Sequence, residues 1–337
     1  MQDKESLAVL YCFDENYSTY AGVSIFSLFS SNKEIKKITV HIFENSLKEE
    51  TKNKFLLMAK EFNREIIFYS AEEIDEFLRL KDVPKWRGGY SAYYRLFFNQ
   101  ILPEEIEQLL YLDSDTLIIG NLKELINFDF KGKAIAMAYG PELAQYKMMI
   151  GAEGQKYWYN SGVLLFDCIK WRFNHCEQKI LDRLEQKDLK ILAPDQDILN
   201  LDLKDEIQTL PLKYNFRPQH AVFNDKAFLE VYKKEGYYSE KEIALARETP
   251  VVLHLLRFNG QPAWSPNTVH PFKEKYFEVL KKSPWKNTEP FVFHGNLQTF
   301  CLSILYKLLP KKIFLKCFYR IRVVLNKKSF ERLERSK

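Results

Sequence analysis

Near its start the chain alternates between two hydrophobic rhythms, and this alternation constrains the fold more than any other feature. "LAVLYCF" (7–13), "KITVHIF" (37–43) and "REIIFYS" (64–70) are apolar runs of strand length. "TYAGVSIFSLFSS" (19–31) and "LKEETKNKFLLMAKEF" (47–62), set between them, read as helices. Such alternation predicts an α/β fold, a parallel sheet with helices on its faces, and open sheets of this kind collect ligands beyond the carboxyl ends of their strands. Asp14 and Asp113 fall at two such ends, the second closing "QLLYLD" (108–113), the best-defined buried strand. With 337 residues, 46% of them hydrophobic, the chain can fill a sizeable core. The one clear boundary lies near Ser283–Glu289, in "SPWKNTEP", and divides a globular part, 1–283, from a tail, 284–337.

The formal net charge of +5 is misleading as a whole-chain figure. Residues 307–337 hold eleven Lys/Arg against two Glu, which is +9 and leaves 1–306 at −4. The basic character belongs to the tail, so no nucleic-acid partner is expected. Five cysteines without a CxxC pair fit a reducing cytosol better than a disulfide framework. The apolar segment at the N-terminus is too short for a signal sequence, and no uncharged apolar run is long enough to span a membrane. A cytoplasmic protein is expected.

"LLYLDSDTLI" (109–118) sets two carboxylates one residue apart at the end of an apolar run. In an extended segment Asp113 and Asp115 share one side and Ser114 points away. Their repulsion is tolerable when a divalent cation sits between the oxygens. The tripeptide alone is weak, since about 0.7 DxD spacings arise by chance from fifteen Asp in a chain of this length. An Asx-turn at a strand end explains it equally well on local grounds. More weight comes from "WYNSGVLLFD" (158–167), a polar step into an apolar strand, from "APDQDILN" (193–200), and from "VVLHLLRFNGQPAW" (251–264), with a histidine at a strand end.

Together with "FDENY" (13–17) and "YSAYYRLFF" (90–98), these segments resemble the family 8 glycosyltransferases, the retaining bacterial sugar transferases of lipopolysaccharide assembly and their glycogenin relatives. The resemblance spans about residues 7–265, with six motifs in the family's order. It implies a GT-A type Rossmann-like fold that binds a UDP-sugar and Mn²⁺, with Mg²⁺ as the alternative ion. Asp113, Asp115 and His254 would hold the metal, and a shell of carboxylates, imidazole and phosphate oxygens suits Mn²⁺. Cys12, Phe13, Asp14, Asn16 and Tyr17 match the first nucleotide loop, although Asp14 reads equally well as a helix N-cap. Arg95 and Ser114 match donor contacts, Asn160, Ser161 and Gly162 the strand that meets the donor sugar, and Asp195 and Gln196 the pair beside its anomeric carbon.

Retention requires either a covalent glycosyl intermediate or attack from the face of departure. We favour same-face attack, with Gln196 steadying the developing positive charge. Two departures from the family stand out. Where a lysine usually precedes Pro-Trp, this chain reads "NGQPAW", with Gln261 before Pro262; Gly260 and Arg257 are then the expected contacts, Arg257 supplying the missing charge. In "AMAYGPEL" (136–143) Tyr139 and Glu142 stand where relatives often place an aspartate.

In the tail, Ile313, Phe314, Cys317, Phe318, Ile321, Val324 and Leu325 recur at helical spacing, with Lys312, Lys316 and Arg320 on another face. A basic amphipathic helix of this kind lies on an anionic membrane or docks on its own domain. The first alternative places the protein peripherally on the inner face of the plasma membrane, beside a lipid-linked saccharide acceptor. His41, His175, His220, His270 and His294 lack partner spacing and read as ordinary core or surface residues. Two rival functions remain on sequence alone: a haloacid-dehalogenase-type phosphatase using Asp113 as nucleophile, and a catalytically dead membrane-surface binding module.

Overall fold

The structure, a computed structural model, describes residues 5–86, 88–186, 191–232 and 236–335. Nine strands are present among them: β1 (Ser6–Asp14), β2 (Lys37–Asn45), β3 (Glu65–Ser70), β4 (Gln108–Leu112), β5 (Thr116–Ile118), β6 (Ile135–Tyr139), β7 (Tyr159–Asp167), β8 (Ile207–Thr209) and β9 (Val252–His254). The apolar runs of the first half become β1 to β4, and the helical segments between them become helices Ser18–Ser31 and Glu49–Glu61. Seven strands form one sheet in the order β3-β2-β1-β4-β7-β6-β8. Every pairing in it is parallel except those of β7, which runs against both β4 and β6. This is the expected α/β architecture with one strand reversed.

The reversal matters for function. Because β7 is antiparallel, its beginning, Asn160–Gly162, lies at the same sheet edge as the carboxyl ends of β1 and β4. The backbone closes this edge where Asp113 N donates to Gly162 O at 2.9 Å. After the DSD turn the chain enters β5, which pairs antiparallel with β9 in a separate two-stranded ribbon, Thr116 opposite His254. That register carries His254 across to the two aspartates. Its backbone is anchored on the other side by His254 N donating to Phe216 O at 2.9 Å.

Both faces of the sheet are covered. One core joins β1, β2 and helix Ser18–Ser31 to residues as distant as Trp264 and Trp285; the other gathers Tyr93, Phe97, Phe98 and Trp171 beneath β4 and β7. Trp285, in the expected boundary segment, is buried at 3% exposure with its indole against Phe55 and on Gly22. A Cβ at Gly22 would collide with that indole, so the glycine inside this helix is a packing requirement.

Helices Leu297–Leu308 and Lys311–Arg335 form a hairpin. Phe314 and Leu315 are fully buried with Phe223, Phe228, Phe258 and Leu302. Further along, Tyr319 meets Tyr232 edge-on at 5.6 Å, and Arg322 pairs with Glu142 at 3.4 Å. Of the apolar residues expected on one face, Phe314 is buried, Cys317, Phe318, Ile321 and Leu325 are half-buried, and Ile313 and Val324 are exposed. Lys312, Lys316 and Arg320 face solvent. The docking alternative therefore holds for this helix, since its apolar side is used on the protein's own core.

Candidate active site

Four chain segments meet at the carboxyl edge of the sheet. Asp113 and Asp115 lie in the turn after β4; His254 closes β9; Arg95 follows the short helix Ser91–Tyr94; Asp195 and Gln196 open helix Pro194–Asp202, whose first turn begins with a proline that needs no N–H partner. His254 Nε2 is 3.5 Å from Asp113 Oδ2 and 3.4 Å from Asp115 Oδ1. The imidazole is wholly buried, and its Nε2 has no hydrogen-bond partner. A Cβ at Gly162 would collide with the ring, so the glycine of the Asn-Ser-Gly step is what allows the histidine to lie against β7.

Charge explains how so many ionisable groups tolerate burial. Arg95 Nη1 lies 2.7 Å from Asp113 Oδ1 and 3.1 Å from Asp195 Oδ2, with its guanidinium over the Tyr111 ring at 4.0 Å. Tyr111 donates its hydroxyl to Asp113 Oδ1 at 2.6 Å. Burial alone would raise the Asp113 carboxyl, but Arg95, His254 and Tyr111 outweigh it and hold the group ionised, well below the usual range. Burial likewise opposes charge on His254, yet Asp115 and Asp113 raise it to about 9. Asp195 is pushed up by burial, against the attraction of Arg95. Two aspartates and a histidine able to bring three ligand atoms within 4.8 Å form a donor set suited to a divalent cation. The unpartnered Nε2 aimed between two carboxylates fits the same ion.

The remaining expected residues divide by position. Cys12, at the buried end of β1, lies close enough to feel the charges of Arg95, Asp113 and Asp195, and burial raises its thiol. Phe13 turns to the opposite face, into the core against Phe55, leaving only its backbone to the cleft. Asp14 caps the turn Glu15–Tyr17 by accepting from Tyr17 N at 3.2 Å, and Asn16 Nδ2 reaches it at 3.4 Å. Tyr17 is exposed, its ring edge-on to Tyr20, which packs on Trp264. Ser114 is buried between the two aspartates. Ser161 O accepts from Arg95 Nη1 at 3.4 Å.

Gly260 and Arg257 lie in the segment that follows β9 and His254. Asn259 and Gly260 both have positive φ and make a tight two-residue turn, bridged between Phe258 and Gln261. Arg257 is exposed, donates to Gly260 O at 3.1 Å and lies over Phe293. Gln261, which stands in the lysine's place, is buried: its Nε2 donates to Ser303 Oγ and its Oε1 accepts from Val269 N. The amide thus ties this loop to helix Leu297–Leu308. Reading the sequence missed Tyr111 and also Asn215, whose Oδ1 lies 3.0 Å from His254 Nδ1. Both are polar atoms inside apolar or aromatic stretches, and nothing in their spacing marks them.

An open α/β sheet with a carboxylate pair, a histidine and a cationic arginine at its carboxyl edge fits a GT-A type glycosyltransferase. Residues 8–262 match the family model described as glycosyl transferase family 8, so the chain belongs to that family and is a glycosyltransferase taking a nucleotide-sugar donor and a saccharide acceptor. It is similar to general stress protein A of Bacillus subtilis strain 168, 23% identical over 85% of this chain and 96% of the relative. Lipopolysaccharide 1,2-glucosyltransferase of Escherichia coli K12 is 27% identical over 85% of this chain and 81% of its own. The fold is also that of galactosyltransferase LgtC, solved in complex with donor and acceptor sugar analogues, at a TM-score of 0.63 and 21% identity over 84% of this chain and 98% of that one. Family membership sets aside the phosphatase alternative.

Proposed function

We propose that the protein transfers a hexose, glucose or galactose, from UDP to a saccharide acceptor carried on a lipid, with retention of anomeric configuration and with Mn²⁺ or Mg²⁺ bound by Asp113, Asp115 and His254. The carrying observation is the buried, unpartnered His254 Nε2 facing two carboxylates. Relatives named as lipopolysaccharide glucosyl- and galactosyltransferases support the hexose and the lipid-linked acceptor. Held by Asp113, Asp115 and His254, such an ion would supply Lewis-acid stabilisation to the departing diphosphate. Arg95, held rigidly by Asp113 and Asp195, adds a fixed positive charge at the same edge. Cys12, Phe13, Asp14, Asn16 and Tyr17 line the nucleotide side through backbone and aspartate; Ser114, Asn160, Ser161 and Gly162 meet the donor sugar; Gly260 and Arg257 close the phosphate side. Asp195 is buried and ion-paired with Arg95 through Oδ2 at 3.1 Å, a placement that suits holding the arginine rather than attacking the sugar. This favours same-face attack, in which the leaving phosphate accepts the acceptor's proton and Gln196 contacts the sugar.

Residues 1–283 carry catalysis in this reading and 284–337 attach the protein to an anionic membrane surface from the cytoplasmic side. Among the described residues no helix is long and apolar enough to cross a membrane. The attachment face is the helix Leu297–Leu308 rather than its neighbour. Leu297, Phe300, Ile304 and Leu308 share one stripe and are 78%, 62%, 40% and 76% exposed, with Lys307, Lys311 and Lys312 exposed beside it.

The test is calorimetric binding and slow hydrolysis of UDP-glucose and UDP-galactose, with and without Mn²⁺, by the native protein and Asp115→Asn. Mn²⁺-dependent UDP release that disappears in the variant upholds the proposal, and the preferred donor identifies the sugar. Binding of neither donor under any metal condition refutes it.

A further inference from the structure

Between the histidine and the helix that carries Gln196 runs an unbroken chain of side-chain amides. His254 Nδ1 is 3.0 Å from Asn215 Oδ1. Asn215 Nδ2 donates to Asn160 Oδ1 at 2.8 Å, and Asn160 Nδ2 donates to Gln196 Oε1 at 2.9 Å. Asn200 fixes both ends of the backbone around it, accepting from Tyr159 N at 2.8 Å and donating to Tyr159 O at 2.9 Å and Gln196 O at 2.7 Å. Asn215 is fully buried, and it comes from the turn Leu212–Asn215, far in sequence from every residue it joins.

The chain has one polarity, and the histidine sets it. A ring nitrogen that binds a cation through its lone pair leaves the ring proton on the other nitrogen. With Nε2 facing the carboxylates, Nδ1 carries the proton, so the Asn215 oxygen must face it. The Asn215 amide then points its N–H at Asn160, which must answer with its oxygen and point its own N–H at Gln196. Gln196 must answer with Oε1. Among the described residues no hydrogen bond occupies its Nε2, so this N–H remains available to the cleft.

Resting on the reading of the site as a metal-assisted sugar transferase, we infer that Asn215 is a positioning residue. Through Asn160 it ties the amide orientation of Gln196 to the ligand His254, so that Gln196 enters the reaction with one oxygen lone pair engaged and its N–H free to donate to a sugar hydroxyl. Outer partners of metal-bound histidines orient the ring; here the same partner also orients a side chain on the sugar side of the cleft.

Two substitutions separate these tasks. Asn215→Asp keeps an acceptor for His254 Nδ1–H and loses the donor to Asn160; Asn215→Leu loses both. Calorimetric Mn²⁺ affinity is expected to stay within about threefold of native in the first and to fall about 10–100-fold in the second. At saturating Mn²⁺, kcat of Asn215→Asp is expected to fall about tenfold at nearly native KM for the donor, the effect of one misdirected buried hydrogen bond. Combining Asn215→Asp with Gln196→Ala is expected to cost no more than Gln196→Ala alone. Native kcat in Asn215→Asp, equal loss of Mn²⁺ affinity in both variants, or full additivity in the double variant overturns the inference. If either Asn215 variant fails to fold by circular dichroism, Asn160→Asp, which keeps the acceptor for Asn215 and loses the donor to Gln196, must show the same lowered kcat at native Mn²⁺ affinity or the inference falls. A native protein that binds neither Mn²⁺ nor UDP overturns the transferase reading itself, which is distinct from failure of the variants against a native protein that binds both.

Discussion

The cleft and the C-terminal hairpin solve opposite problems with the same kinds of residue. In the cleft, Arg95, Asp195 and His254 are ionisable and buried, Asp113 is half-buried among them, and each is held by partners from other segments. In the hairpin, Leu297, Phe300 and Leu308 are apolar and exposed, with no such network. Burying charge costs several kcal/mol per ion unless partners are fixed around it, so the cleft needs long-range strand pairing. Leaving a few apolar side chains in water costs far less, so this outer stripe needs only local helical spacing. Each region carries a group in its less favourable medium, and in the function proposed above a ligand from outside would relieve it: a cation and diphosphate in the first, a lipid surface in the second.

The contrast can be broken from either side. The largest effect is expected at the cation pair: Asp115→Asn should lower Mn²⁺-stimulated turnover about 10²–10³-fold while changing thermal stability little, read by UDP release and melting together. Nearly as large, Phe314→Ala should cost about 3 kcal/mol, seen as lost amide-exchange protection along Lys311–Arg335 with the β1–β4 sheet unaffected. Protection lost equally in both regions would mean that the hairpin and the sheet are one cooperative unit. Gly162→Ala should push the His254 ring away from β7 and weaken Mn²⁺ binding about 10–100-fold by calorimetry.

Smaller still is a pH effect at two other buried histidines. Burial lowers His41 and His270 from 6.5 to about 4. His270 is neutral and satisfied, with Nε2 on Leu256 O and Nδ1 accepting from Phe272 N. A folded value below the unfolded one means that the unfolded chain binds more protons between those limits, so stability present above pH 6.5 is lost as pH falls toward 4. Urea titrations across that window should show roughly 1 kcal/mol lost per pH unit for each histidine, and His270→Gln should flatten the slope. The smallest stability change belongs to the exposed stripe. Replacing Leu297, Phe300, Ile304 and Leu308 together by Ser should alter folding stability by only about 0.5 kcal/mol per site or less, yet abolish flotation with anionic phospholipid vesicles. Retained flotation would move the attachment elsewhere, and a monomer produced from a dimer would make the stripe a contact between two copies.

Much of the site was legible because its residues sit at strand ends, where apolar periodicity stops and a polar group is conspicuous. Asp113, Asp115, the Asn160–Gly162 step and His254 were found that way, and the family resemblance ordered them. Asn215 and Tyr111 were not, because each lies within a stretch whose neighbours pack in the core, and a buried amide or hydroxyl leaves no periodic trace. Arg257 was named from its spacing after His254, but its present placement over Phe293, beside the tight turn at Asn259–Gly260, is a tertiary contact that spacing does not encode.

By itself, then, the sequence determined the α/β alternation, the strand ends that carry the chemistry, and the helical spacing of the tail, all of which are set by neighbours within a few residues. Only the tertiary structure decided that β7 runs backwards, that β5 and β9 pair to bring His254 to the aspartates, that an amide chain joins this histidine to Gln196, and which of two amphipathic helices faces outward. Those are contacts between residues tens to more than a hundred positions apart, fixed by register and packing, which local pattern does not encode.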